Sequence, residues 1–112
     1  MTSEVDIATF AEAHADGALV LDVREPHEYV GGHVPGAHLV PVAELPSRLA
    51  EVPRGEPVYV ICASGNRSRA MTDLLVRHGI DAYSVQAGTG GWVRTGRPVV
   101  AGLDPALSER RA

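Results

Sequence analysis

The chain has 112 residues, 45% of them hydrophobic, and a formal net charge of −4 at neutral pH. This length fits one domain, and the apolar content can bury a core without disulfides or metals. Proteins that bind nucleic acids usually carry a basic surplus, so the acidic balance argues against a nucleic-acid partner. A small anionic substrate, held locally, stays compatible with this charge.

The chain has a single cysteine, Cys62. A single cysteine cannot form an internal disulfide, so folding does not need an oxidising compartment. No stretch approaches the roughly 20 apolar residues that span a bilayer. Residues 1–6 carry neither a basic region nor an apolar run. We therefore expect a soluble cytoplasmic protein without a membrane partner.

The predicted elements alternate between helices and short apolar strands. Asp6 is expected to cap the first helix and Gly17 to end it. The predicted helices cover residues 7–15, 25–30, 42–50, 68–78 and 91–95. The predicted strands cover residues 18–23, 38–40, 57–62 and 82–86. Residues 104–112 are predicted to form a polar tail that frays, which leaves residues 1–103 as a single domain.

Short strands that are apolar on both faces are typical of a parallel sheet with helices on both sides. In such sheets, ligands bind beyond the carboxyl ends of the strands. Asp22, Arg24 and Cys62 all fall at predicted strand ends. The sequence thus predicts an α/β fold, with the chemistry at this edge of a mostly parallel sheet.

The loop after the third predicted strand leads directly into a helix. Its residues are Cys62, Ala63, Ser64, Gly65, Asn66, Arg67 and Ser68. Free N–H groups at a helix start, together with the helix dipole, attract an anion. Gly65 allows a tight turn, and the short side chains that precede it leave the inside of the loop open. We expect this loop to form a concave nest of N–H groups for an anion.

Cys62 stands at the rim of the predicted nest. A thiol with the reference pKa of about 8.5 is mostly protonated at neutral pH, so a nucleophilic cysteine needs a lowered pKa. The helix start and the guanidinium of Arg67 are expected to lower it, and the same donors would hold a persulfide. Two plainer interpretations stay open: Cys62 as a buried core residue, and Arg67 as a surface charge or a brace of the loop.

Three motifs, in the right order, resemble those of the single-domain rhodaneses, a sulfurtransferase family. The first covers residues 21–25, 28–29 and 32–37, the second is the Cys-x-x-Gly-x-Arg-Ser loop at 62–68, and the third covers residues 88–92 and 96–99. The resemblance extends over nearly the whole chain. One departure is Ala87-Gly88, where the family often has two glycines, and another is the additional pair Gly90-Gly91.

The resemblance implies a three-layer fold, with a five-stranded, mostly parallel sheet between helices. It also implies that Cys62 accepts a sulfane sulfur as a persulfide, which a thiol or cyanide then attacks. The donor would be a small sulfur-donor anion such as thiosulfate, or a low-molecular-weight persulfide, and a sulfur-relay protein is a possible partner. Asp22 and Arg24 would support the surrounding loops by hydrogen bonding and ion pairing. No cofactor is expected.

Two other functions remain compatible with the motif. A non-catalytic module that binds or senses sulfur, or docks a partner, needs the same nucleophile and loop. Phosphatases and arsenate reductases of this fold carry one more loop residue than the six from Cys62 to Arg67, which disfavours them here. Since Arg67 is the only charged residue of the loop, we expect a poorer Michaelis constant for thiosulfate than for a persulfide donor.

Two other patterns could be mistaken for a metal site and a phosphate-binding loop, and we predict neither. His27, His33 and His38 have no second cysteine or carboxylate cluster beside them, so no metal site is predicted. His33 is expected to hydrogen-bond its own Gly-Pro turn. Residues 88–91 lack the ending of a phosphate-binding loop and are predicted to be a flexible turn before Trp92, a residue of the core or of the pocket wall.

Overall fold

The computed structural model describes residues 2–104, so most of the predicted tail, residues 105–112, lies outside the described residues. The strands are β1 (Glu4–Val5), β2 (Leu19–Asp22), β3 (His38–Leu39), β4 (Val58–Ile61) and β5 (Ala82–Val85). The α-helices are α1 (Ile7–Ala15), α2 (Pro26–Gly31), α3 (Asn66–Arg77) and α4 (Gly88–Arg94). A 3-10 helix, Leu45–Glu51, lies between β3 and β4.

All five strands belong to one parallel sheet in the order β1-β5-β4-β2-β3. The central strand is therefore β4, in which Val60 pairs with Leu21 on one side and with Ser84 on the other. Parallel neighbours need crossover connections, and the helices supply them. The predicted α/β fold with a five-stranded parallel sheet is confirmed.

Each face of the sheet has its own buried cluster because successive strand residues point to opposite faces. Val58 and Val60 belong to one cluster, which α3 and the 3-10 helix cover with Leu75 and Leu45. Ile61 belongs to the other cluster. Helices α1, α2 and α4 cover that face with Phe10, Tyr29 and Trp92. The sheet is thus the middle layer of three.

Local signals set the ends of α1 as predicted. The carboxylate of Asp6 accepts a hydrogen bond from the N–H of Thr9 at 2.8 Å, which satisfies one of the free N–H groups of the first turn. Beyond the other end, Gly17 has a φ of +88°, a conformation that glycine adopts without strain. Among residues 2–104, no helix is long and apolar enough to cross a bilayer.

The observed elements differ from the predicted ones in three places. Strand β1 was not predicted. The helix predicted at 42–50 is a 3-10 helix, with Pro46 in its first turn and a non-helical φ of −118° at Arg48, where two helical turns meet at a kink. The residues predicted as a flexible turn, 88–91, form the first turn of α4. A helix that began at residue 42 would need the N–H that Pro46 lacks, which explains why the observed helix begins at Leu45.

Candidate active site

The sulfur of Cys62 lies inside the loop that connects β4 to α3. Its Sγ accepts hydrogen bonds from the backbone N–H groups of Gly65 at 3.1 Å and Ser68 at 3.3 Å. It also lies 3.6 Å from the hydroxyl oxygen of Ser68. Cys62 is only 1% exposed and contributes to the buried cluster under α3. The thiol is therefore recessed in the sheet edge and surrounded by donors.

The donors of the loop stabilise the thiolate. Burial raises the pKa of the Cys62 thiol and is the largest single effect, but the hydroxyl of Ser68 and the N–H groups of Ser68, Gly65 and Ser64 oppose it with hydrogen bonds. Together these bonds outweigh burial, so the pKa lies below its ordinary value. Cys62 thus combines the burial of a core residue with the electrostatic surroundings of a nucleophile.

The guanidinium of Arg67 is paired with a carboxylate of α2. Its Nη1 donates to Oε1 of Glu28 at 2.8 Å, and its Nη2 donates to Oε2 at 3.0 Å. Two parallel hydrogen bonds of this kind fix both direction and distance. Arg67 interacts with the Cys62 sulfur through its charge, whereas the hydrogen bonds that lower the Cys62 pKa come from the Ser68 hydroxyl and the loop N–H groups. The pair with Glu28 links the loop to α2.

Glu28 has a second function in the same place. Its Oε1 also accepts the backbone N–H of Glu25 at 2.9 Å, which completes a capping box at the start of α2. Hydrogen bonds from Arg67 lower the pKa of Glu28 to about 2, against a smaller opposing effect of burial. The carboxylate is hence ionised at every pH near neutrality, and it fixes the loop to the end of a helix.

A buried pair of hydroxyl groups joins α3 to the sheet. The Ser68 hydroxyl donates to the carbonyl oxygen of Gly65 at 3.1 Å, and its oxygen lies 2.8 Å from the hydroxyl oxygen of Ser84 on β5. Both serines are fully buried. Ser68 was predicted as part of the loop, whereas Ser84 was not predicted. No local pattern marks a serine in the middle of a buried strand as part of a site.

Asp22 and Arg24 form a buried ion pair at the end of β2. Nη2 of Arg24 donates to Oδ2 of Asp22 at 2.8 Å and to the carbonyl oxygen of Gly32 at 2.9 Å. Nε of Arg24 adds contacts of 3.0 and 3.1 Å to the two carboxylate oxygens. The pair fixes the end of α2, and thereby the helix that carries Glu28, to the sheet. The supporting role expected for both residues stays a prediction.

The start of α4 holds the other side of the loop. The N–H of Thr89 donates to the carbonyl oxygen of Cys62 at 2.8 Å. The N–H of Gly90 donates to the carbonyl oxygen of Ala63 at 3.0 Å. A Cβ on Gly88 would lie 2.4 Å from the same Cys62 oxygen, so only glycine allows this approach. Ala87, just before the helix, has a φ of +65°. A Cβ on Gly91 would lie 2.5 Å from the methyl group of Ala87, so glycine is needed at position 91 as well.

Comparison with known proteins decides the family. A family model described as the rhodanese-like domain matches residues 7–95. The chain belongs to the rhodanese-like family.

Rhodanese relatives cover most of the chain. A protein named sulfurtransferase from Allochromatium vinosum is 32% identical over 104 residues, which are 90% of this chain and 97% of that protein. The thiosulfate sulfurtransferase GlpE of Actinobacillus pleuropneumoniae serotype 7 is 38% identical over 85 residues, 75% of this chain and 79% of that protein. A crystal structure of a rhodanese-related protein from Thermoplasma volcanium superposes with a TM-score of 0.84 at 33% identity, covering 91% of this chain and 99% of the other.

Two other residues singled out in the sequence, His33 and Trp92, lie in the core of this rhodanese, whereas His27 and His38 are exposed. His33 was expected to bond its own turn. In the structure, its Nδ1 lies 3.0 Å from the carbonyl oxygen of Tyr29, and its ring stacks on the Tyr29 ring at 3.7 Å. Trp92 is buried and packs against Phe10. Between residues 2 and 104, no group of three or more His, Cys, Asp or Glu side chains could hold a metal ion.

Proposed function

We propose that this rhodanese is a sulfurtransferase that carries a sulfane sulfur on Cys62. The observation that supports this most directly is the ring of donors around its sulfur. The N–H groups of Gly65 and Ser68 point at Sγ, and the pKa of the thiol is lowered. A thiolate held in this way is a nucleophile, and the terminal sulfur of a persulfide is an anion that the same loop can hold. Relatives named sulfurtransferase support the same chemistry.

The proposed cycle consists of two displacements. With thiosulfate, the Cys62 thiolate attacks the sulfane sulfur, the S–S bond of the donor breaks, and sulfite leaves with the bonding electron pair. The new bond makes Cys62 a persulfide anion. An acceptor thiolate or cyanide then attacks the outer sulfur, and Cys62 leaves as a thiolate. Charge and electrons balance in both steps without a cofactor.

The recessed position of Cys62 is compatible with this cycle. An S–S bond is about 2.05 Å long, so the outer sulfur of a persulfide can reach beyond the buried Sγ. Ser64 and Asn66 in the loop are exposed, and Ala63 is half-buried. Their small or neutral side chains leave the loop open to a slender donor. The ion pair of Asp22 and Arg24 holds the end of α2 in place beside the loop.

The donor class we propose is a low-molecular-weight persulfide or a small sulfur-donor anion such as thiosulfate. Acceptors are a thiol, cyanide or a sulfur-relay protein. We place the activity in the cytoplasm, where the reducing environment keeps a single thiol such as Cys62 free.

The burial of Cys62 also favours a second candidate, a module that takes up sulfur once and senses or presents it. Such a module would become persulfidated but would not turn over. Excess acceptor separates the two candidates, because a sulfurtransferase releases product repeatedly. A sensor stops after one equivalent.

The decisive experiment is intact mass spectrometry of the reduced protein. We expect incubation with thiosulfate or glutathione persulfide to add one sulfur atom, and cyanide to remove it as thiocyanate. Since Cys62 is the only cysteine, Cys62→Ala is a complete control and should show no gain. If neither donor adds sulfur to the wild-type protein, or if Cys62→Ala retains transfer, the proposal is wrong.

A further inference from the structure

The one charged side chain of the active-site loop is paired with a carboxylate that lies outside the loop. Arg67 is the only charged residue between positions 62 and 68. Its Nη1 and Nη2 atoms both bond Glu28, at 2.8 and 3.0 Å. Arg24, at the end of β2, is paired in the same way with Asp22. The guanidinium of the loop and that of Arg24 are thus already paired with carboxylates before any substrate arrives.

We propose that Glu28 is a specificity-determining residue, which favours donors with one negative charge at the reacting sulfurs, such as low-molecular-weight persulfides, over the dianion thiosulfate. The inference rests on the proposed sulfurtransferase function. It adds a residue that controls the charge of the accepted donor. A dianion gains most from a free guanidinium, so it loses most when a carboxylate occupies that guanidinium.

Glu28 holds Arg67 firmly because it is itself held. The N–H of Glu25 donates to the Oε1 atom that Arg67 also contacts, so the carboxylate is fixed to the start of α2. To turn toward a substrate, Arg67 would have to give up two charge-assisted hydrogen bonds. The lowered pKa of Glu28, about 2, means that protonation does not release Arg67 near neutral pH.

The groups of the loop that face Sγ are backbone N–H groups. These groups carry partial charges, and two or three of them suffice for the single charge of a thiolate or a terminal persulfide sulfur. They offer less to the second charge of thiosulfate, which its sulfonate oxygens carry. The pairing of Arg67 therefore matches the site to the reaction intermediate rather than to a dianionic donor.

The test compares Glu28→Gln with the wild-type protein. Glutamine keeps an Oε1 acceptor for the Glu25 N–H but removes the negative charge. We expect kcat/KM for thiosulfate to rise about three- to tenfold, mainly through a lower KM. We expect kcat/KM for glutathione persulfide to change by less than about twofold, since its reacting sulfurs carry a single charge. Glu56→Gln makes the same charge change at an exposed position before β4 and should alter neither value.

Two further variants attribute the effect to Arg67. The double variant Arg67→Gln, Glu28→Gln, which lacks both charges, should use thiosulfate less well than Glu28→Gln alone, because no guanidinium is left to attract the dianion. If Glu28→Gln does not fold, Ser64→Lys replaces it: this exposed loop position would receive an unpaired cation without any change to Glu28. Ser64→Lys is then expected to improve thiosulfate use selectively.

A binding assay separates this inference from the proposed function. Sulfate is a dianion that cannot transfer sulfur, and its binding is measured as protection of Cys62 from iodoacetamide. Sulfate should protect Glu28→Gln at several-fold lower concentration than the wild-type protein. If the wild type transfers no sulfur but this difference appears, the function fails and the role of Glu28 stands. Equal protection, or an unchanged or lower kcat/KM for thiosulfate in a folded Glu28→Gln, overturns the role of Glu28.

Discussion

The hydroxyl oxygens of Ser68 and Ser84 lie 2.8 Å apart, and the first of them is 3.6 Å from the sulfur of Cys62. Each hydroxyl has one proton to donate. Ser68 donates its proton to the carbonyl oxygen of Gly65, which can only accept, so Ser84 donates to Ser68. When Cys62 ionises, the Ser68 proton can turn to the sulfur while Ser84 continues to satisfy the Ser68 oxygen. Ser84 thus positions the donor that stabilises the thiolate.

We predict that Ser84→Ala raises the pKa of Cys62 and that Ser68→Ala raises it further, because Ser68 bonds the sulfur directly and Ser84 acts through Ser68. The measurement is the pH dependence of iodoacetamide alkylation. Thr72→Val, which removes another fully buried hydroxyl, should leave the pKa unchanged. In a Ser68→Ala background, Ser84→Ala should add nothing. An equal rise there would show that Ser84 does not act through Ser68.

The buried ion pair at the end of β2 predicts a large loss of stability when one partner is removed. Asp22→Asn leaves the charge of Arg24 buried without its partner, which we expect to lower the free energy of unfolding by about 3–5 kcal/mol. Urea denaturation measures this. The control is Glu51→Gln, which breaks the exposed pair of Glu51 with Arg48 and should have a far smaller effect. Similar losses in the two variants would contradict this account.

Gly88→Ala is predicted to disturb the site and the fold together. Its Cβ would lie 2.4 Å from the carbonyl oxygen of Cys62, and its φ of +55° already disfavours a side chain. Gly17→Ala is the matched control, because Gly17 has a φ of +88° but open space around it. We expect a loss of about 1 kcal/mol for Gly17→Ala, from backbone strain alone, and at least twice that for Gly88→Ala. The measurements are thermal unfolding and persulfide loading of both variants. Equal losses in Gly88→Ala and Gly17→Ala would show that the close approach to Cys62 does not matter.

The Glu28–Arg67 pair predicts a pH-dependent contribution to stability. The pKa of Glu28 is about 2 in the folded protein and 4.5 in a free side chain, so the pair stabilises the fold fully above about pH 5. This contribution falls as the pH drops toward 2. Because Arg67 is 38% exposed, solvent screening reduces it to about 1 kcal/mol. The difference in unfolding free energy between the wild-type protein and Glu28→Gln should shrink over this range. A constant difference would contradict the pairing.

Much of the fold could be predicted because its signals are local. The Asp6 cap, the stop at Gly17 and the apolar run of β4 each lie within a few residues. Strand β1 could not be predicted, since two residues show no periodicity and Glu4–Val5 is a strand only through pairing with β5. Helix α4 begins three residues early because hydrogen bonds from its N–H groups to Cys62 and Ala63 offset the low helix propensity of glycine.

The site was predictable where one segment forms it and unpredictable where distant segments meet. The loop and its N–H groups follow from a strand end, a glycine and a helix start. The partner of Arg67 is 39 residues away, and that of Ser68 is 16 residues away. Sequence alone named Arg67 as a source of positive charge, but it could not show that the fold brings Glu28 of α2 within hydrogen-bonding distance of that guanidinium.

The two departures from the family pattern before α4 are one change rather than two. The methyl group of Ala87 and a Cβ at position 91 would occupy the same space, 2.5 Å apart. A chain that accepts alanine at 87 is therefore obliged to keep glycine at 91, whereas with glycine at 87 a side chain at 91 would have only the flexible Ile7 side chain, at 3.2 Å, to displace. Within this family the two positions should change together, so that substitution at either one is tolerated or rejected according to the residue at the other.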